Sequence, residues 1–178
     1  SFDFFGKMTF KGINNQSVEL KITNYQFPEN SDGDWDSNWL TIYLKVKSDV
    51  GNWQTVDPSL TTWDVNCLID WFDNLSKNIQ PESKEICFTE PNLSLELMDS
   101  FNSITKTIRI KFNLESRPQF ATDEKNYFVD LIADNYELKC MALDLKKELE
   151  KYPERRPAEN SNEQKDGRSW WQKLFSSE

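Results

Sequence analysis

Between Asp32 and Asp36 the chain reads DGDWD, setting carboxylates at Asp32, Asp34 and Asp36. This is the alternate-residue spacing with which a calcium loop offers its first ligands. The remainder of such a loop is missing, because its sixth position is Ser37 rather than Gly and its twelfth is Tyr43 rather than Glu. The better reading is a turn whose Asp and Asn side chains bond their own backbone, and no metal or other cofactor is expected. Seven tryptophans could stack on sugars and thirty acidic residues could supply a glycosidase pair, but such a pair is defined by its separation in space. The chain contains no histidine. Nucleophile–imidazole pairs, His-ligated metals and imidazole bases are thereby excluded together. With no Gly-rich phosphate loop and no nucleophile elbow either, the expectation is a protein that is not an enzyme.

The same acids point to a partner. The formal charge is −9, from 30 Asp and Glu against 21 Lys and Arg, a balance that repels nucleic acid and anionic membranes and attracts basic proteins. No apolar run approaches the roughly 20 residues of a membrane span, and the N-terminal SFDFFGKMTF has no basic-then-apolar secretion pattern. A cytoplasmic protein is expected. Cys67, Cys87 and Cys140 are odd in number and far apart, so reduced and mostly buried thiols are expected, not a disulfide framework or zinc site. Tripeptides matching the glycosylation acceptor at Asn15, Asn74 and Asn92 carry no meaning in that compartment.

Alternation in LTIYLKV sets Leu40, Ile42, Leu44 and Val46 on one face of a strand, with Trp39 continuing the polar row. TIRIKFNLE turns Ile108, Ile110, Phe112 and Leu114 inward, and LSLEL does so with Leu93, Leu95 and Leu97. SVELKI, WQTV, KEICFT and NYFVDLI add weaker strands, for six to eight in all, antiparallel because their connections are short. Two segments have a helical period instead. The first carries Val65, Leu68, Phe72, Leu75 and Ile79 as its stripe, with Trp63 and Trp71 on the flank and Thr61 followed by Asp64 at its start. The second carries Leu138, Met141, Leu145 and Leu149, opens on Asp134 and Glu137 at capping-box spacing and is closed by Pro153. The fold class is α+β: an antiparallel sheet or open sandwich with two helices and a flexible C-terminal tail.

Composition places one domain at residues 1–152 and a polar extension at 153–178. The extension's five basic and five acidic residues cancel, so the body carries the whole −9. It closes on SWWQKLF, where Trp170, Trp171, Leu174 and Phe175 share one side of a short helix, a pattern for packing on its own domain or for docking elsewhere.

Four segments, YQFPENSDGDWDSNWL, LTTWDVNCLIDWFDNL, FTEPNLSLEL and RIKFNLESRPQF, resemble the successive blocks of WapI-type immunity proteins. These protect bacteria against the toxic C-terminal domain of a wall-associated polymorphic toxin. The resemblance runs in order from Val18 to Tyr152. It implies a bacterial cytosolic antitoxin without enzyme activity that binds a cognate toxin domain, of which the best-known cleave RNA. A nuclease presents a basic cleft, and an acidic protein fills it with carboxylates standing where phosphates lie. The candidate contact residues are Asp32, Asp34, Trp35 and Asp36 in the turn, with Glu90 and Glu96, and Asp70 and Asp73 as further acids. A monomer acting on the toxin, not on nucleic acid or membrane, is expected. Two alternatives stay open: a plain solvated turn at Asp32–Asp36, and a carbohydrate- or ligand-binding β-rich module.

Overall fold

The computed structural model describes residues 8–158, and the Trp170–Trp171 segment lies outside them. The element order is β1 (Met8–Lys11), β2 (Ser17–Tyr25), β3 (Trp39–Ser48), β4 (Gly51–Thr61), α1 (Thr62–Ser76), β5 (Glu85–Cys87), β6 (Leu93–Leu97), β7 (Thr105–Phe112), β8 (Tyr127–Asp134) and α2 (Asn135–Glu150). Sequence neighbours within each sheet pair antiparallel, none of their connections carrying an α-helix, and two four-stranded meanders result, β1-β2-β3-β4 and β5-β6-β7-β8. The fold is α+β, with eight strands and two helices among the described residues.

Period-two alternation puts Val18, Leu20 and Ile22, Leu40 to Val46, Leu93 to Leu97 and Ile108 to Phe112 into one hydrophobic core shared by both sheets and both helices. The β1 strand has no counterpart among the expected elements. Its M-T-F-K pattern buries Met8 and Phe10, a two-residue signal too short to separate from noise. Just after it, Gly12 forms a bridge to Leu131 and joins the first sheet to the second. A Cβ there would stand 2.8 Å from Val129 and 2.9 Å from the Asp130 carbonyl, so glycine is what permits this approach.

Both helices start as expected. The Thr61 side chain accepts the Asp64 N–H while the Asp64 carboxylate accepts the Thr61 N–H, and Asp134 and Glu137 repeat the exchange at α2. Val65, Leu68, Phe72 and Leu75 are buried, but Ile79 is 47% exposed. The reason is a Schellman ending: Asn78 takes φ +57°, its N–H reaches the Leu75 carbonyl and the Ile79 N–H reaches the Asn74 carbonyl. The helix therefore stops before its stripe does. Leu114 is a second correction. The β7 strand ends at Phe112, because Asn113 starts a short 3-10 turn (Leu114–Ser116), and Leu114 sits at φ +46° and 49% exposed. The thiols are a third: Cys67 and Cys87 are exposed and Cys140 is half-buried. Cys67 lies about 200° round α1 from buried Val65, and Cys87 ends the edge strand β5.

Lys106 is fully buried, although it falls on an alternating strand. Its ammonium donates to Asn78 Oδ1 (3.0 Å), the Ser103 carbonyl (2.9 Å) and Asn135 Oδ1 (2.6 Å). The end of α1, the β6–β7 loop and the start of α2 are thereby tied to one cation.

Candidate functional site

The N-terminal end of α1 gathers three loops. Asp64 holds the point of convergence, since one carboxylate oxygen accepts the Thr61 N–H and hydroxyl, both at 2.8 Å. The other accepts the Thr89 N–H and hydroxyl, both at 3.1 Å, which ties the β5–β6 loop and its neighbour Glu90 to the helix start. On the opposite side Asn38, at the end of the acidic turn, accepts the Thr62 hydroxyl (3.1 Å). The Trp35 indole stacks on Trp63 of the first helical turn at 4.8 Å between centroids. Trp35 remains 56% exposed.

Within the turn the three acids have different tasks. Asp34 is spent on folding: its carboxylate accepts the Ser37 N–H (2.8 Å) and the Asn30 amide (3.2 Å), and its carbonyl accepts from Ser37 and Asn38. The Ser37 N–H, with Asn30 behind it, holds this carboxyl below the usual range. Asp32 and Asp36 are exposed at the rim of the turn.

The turn also encloses part of its own chain. Arg155 donates to the carbonyls of Phe27 (2.9 Å), Pro28 (3.0 Å) and Asn30, and its guanidinium lies 3.6 Å from the centroid of the Tyr25 ring. Asn38 clamps the Arg155 backbone from both sides, receiving its N–H at 2.8 Å and donating to its carbonyl at 2.9 Å. The Tyr25 hydroxyl reaches the Pro153 carbonyl (2.5 Å) and Tyr152 reaches the Thr23 carbonyl (2.8 Å). Gly33 completes the enclosure at φ +77°, since a Cβ there would stand 2.0 Å from the carbonyl carbon of Arg156. Beyond the clamp, Glu154 pairs with Arg156 at 3.1 Å, and those contacts together with the Trp63 indole keep its carboxyl low.

The structure brings Asp32, Trp35, Asp36 and Glu90 to loops around one helix end and leaves Glu96 apart. Glu96 lies on β6, where it pairs with Lys111 at 2.7 Å in a ladder that also holds Glu85. Beside it Arg109 meets Asp130 through two bonds of 2.8 and 2.9 Å and covers Phe128. Asp73 is also engaged, bridging Lys77 and Lys139. Trp63, Asn38 and Arg155 belong to the site without having been foreseen: Trp63 was legible only as a helix flank, and Arg155 sits in a segment with no apolar period.

Among the described residues, no three His, Cys, Asp or Glu side chains could share a metal ion. Trp53 and Trp71 are buried, Trp39 is half-buried, and Trp35 and Trp63 cover one face of each other, which is not the open aromatic row of a sugar platform. A cleft of about 480 Å³ on the outer face of the first sheet is lined by Ser17, Glu19, Lys45, Lys47, Asn52 and Gln54. No helix among the described residues is long and apolar enough to cross a membrane.

At this end an exposed Trp35 stacks on Trp63, and the exposed Asp32, Asp36 and Glu90 lie on the surrounding loops. The sequence matches the Immunity protein WapI-like family over residues 9–153, most of the chain, and the protein belongs to that family. Its membership suggests toxin immunity. A search of the curated proteins finds no match.

Proposed function

We propose that this protein is a non-enzymatic antitoxin of bacterial cytoplasm. As a monomer it neutralises the C-terminal domain of a cognate toxin, a basic nuclease, by covering the cleft that would hold RNA. Residues 1–152 are the binding body, and residues 153–178 are an extension whose first residues return to it. The observation that carries the reading is the half-exposed Trp35, stacked on Trp63 at the start of α1, with exposed Asp32 and Asp36 on its own turn and Glu90 on the loop that Thr89 ties to the same helix start. An aromatic side chain already ordered by stacking loses little freedom on contact, and a desolvated aromatic at the centre of an interface slows release. Acids at the rim speed encounter with a basic partner and make it sensitive to salt. Inhibition of this kind needs no chemistry.

The test is to mix the purified protein with the toxin domain encoded beside its gene. A one-to-one complex that weakens with salt and abolishes nuclease activity is expected. Undiminished cleavage at molar excess of the protein would end this reading.

A further inference from the structure

Beyond the C-terminal end of α1, the loop that leaves the helix and the loop between β6 and β7 border a cleft of about 300 Å³, lined by Gln80, Pro81, Lys84, Leu97, Ser100 and Phe101. Its walls are fixed before anything enters. The Lys106 ammonium holds Asn78 on one loop and the Ser103 carbonyl on the other, and the Leu97 N–H donates to the Lys84 carbonyl at 2.8 Å. Apolar side chains on the same two loops are left uncovered: Ile79 is 47% exposed, Met98 40% and Ile104 90%. No other large apolar side chain among the described residues is as exposed as Ile104. Uncovered apolar groups gathered beside a cleft mark a contact site.

The chain itself carries a segment of matching chemistry. Residues 159–169 hold no apolar side chain, and Trp170, Trp171, Leu174 and Phe175 then fall within six positions. The last described residues are held beside the first turn of α1, where Asn38 clamps Arg155 and Glu154 meets the Trp63 indole. From there the way to the cleft is the length of α1, about 22 Å for its 15 residues. Residues 159–170 reach about 40 Å when extended, so the connection spans this distance with slack.

Size decides between occupants. Three exposed side chains around a small cleft fall short of a stable interface with a second copy or a separate protein, which buries about 1,200 Å² or more. A segment joined to its site by a short stretch of chain needs less contact, because it acts at an effective concentration in the millimolar range.

We infer that residues 169–175 dock on their own domain in this cleft, an indole entering between Pro81 and Phe101 with Ile79 and Ile104 at the border. The extension then runs along the domain from the Trp35 turn to the far end of α1 and covers the apolar groups there. This inference goes beyond the antitoxin reading and is independent of it.

The experiment is NMR on the full chain alone. Nuclear Overhauser contacts from the Trp170 and Trp171 indole protons to the Ile79 and Ile104 methyls are expected, unchanged on dilution. Ile104→Asp, at a position too exposed to disturb folding, should lose them. Trp170→Ala/Trp171→Ala should speed amide exchange severalfold at residues 98–104 while the melting transition stays cooperative. Indole contacts to Trp35 instead, contacts that fade on dilution, or no contact with the domain overturn the proposal. Each of these leaves the antitoxin reading standing, because no toxin is present.

Discussion

At the scale of single residues, Lys106 is the side chain most committed to the fold. Fully buried, it is held by three oxygen acceptors and no carboxylate. Lys106→Met keeps the length of the side chain but leaves the Ser103 carbonyl and Asn135 Oδ1 without that donor, while Asn78 Oδ1 keeps only the Asn135 amide at 3.3 Å. A loss of about 2–3 kcal/mol is expected in urea unfolding. Asp73 sets a second prediction, on pH. Lys139 and Lys77 lower its carboxyl below the ordinary 3.8, so folding gains from the charged form above that value and loses the gain as pH falls through the depressed one. Asp73→Asn should therefore cost about 0.5 kcal/mol at pH 7, a small value because the pair is near the surface. The difference from wild type should vanish in thermal melts in strong acid.

At the scale of elements, α1 depends on the reciprocal bonds between Thr61 and Asp64, which the sequence displays directly. Thr61→Ala should lower stability by about 1 kcal/mol, seen as a reduced melting temperature. Asp64 reaches further, since Thr89 hangs from it. Asp64→Ala should accelerate hydrogen exchange at the Thr89 amide, and an unchanged rate would mean that the β5–β6 loop is held by other contacts. The caps, the helix stripes and the alternating strands were legible because each is decided within a few neighbouring residues. What escaped is decided at a distance. Leu114 was read as inward from the rhythm of Ile108, Ile110 and Phe112, yet the Asn113 turn, fastened to Asn92 in the loop before β6, breaks that rhythm. Ile79 was assigned to the stripe, while the chain reverses at Asn78, whose side chain meets Lys106. The acidic turn was found by its residue types, but its enclosure of Arg155 spans well over a hundred positions of sequence and leaves no local mark.

At the scale of the whole molecule, the antitoxin reading makes the surplus negative charge and its placement the governors of encounter. Asp34 is needed for the shape of its turn, so the clean test changes the other two acids. Asp32→Lys/Asp36→Lys should slow association with the toxin domain severalfold at low salt, converge with wild type at high salt and leave the melting temperature unaltered. Rates identical to wild type at every ionic strength would place the contact on another face.

Arg155 and the loop around it bear on how quickly that contact can work. A loop of Gly, Asn, Asp and Ser left to itself samples many shapes, and a partner would have to select one of them at the expense of affinity. Here the selection is complete once the chain's own C-terminal segment is in place. A protein shortened to end at Pro153 should keep its core and its melting transition, show fast amide exchange from residue 27 to residue 38 and capture the toxin domain more slowly. Readiness at the rim would then depend on Arg155 and its neighbours, which serve as a mould for the loop.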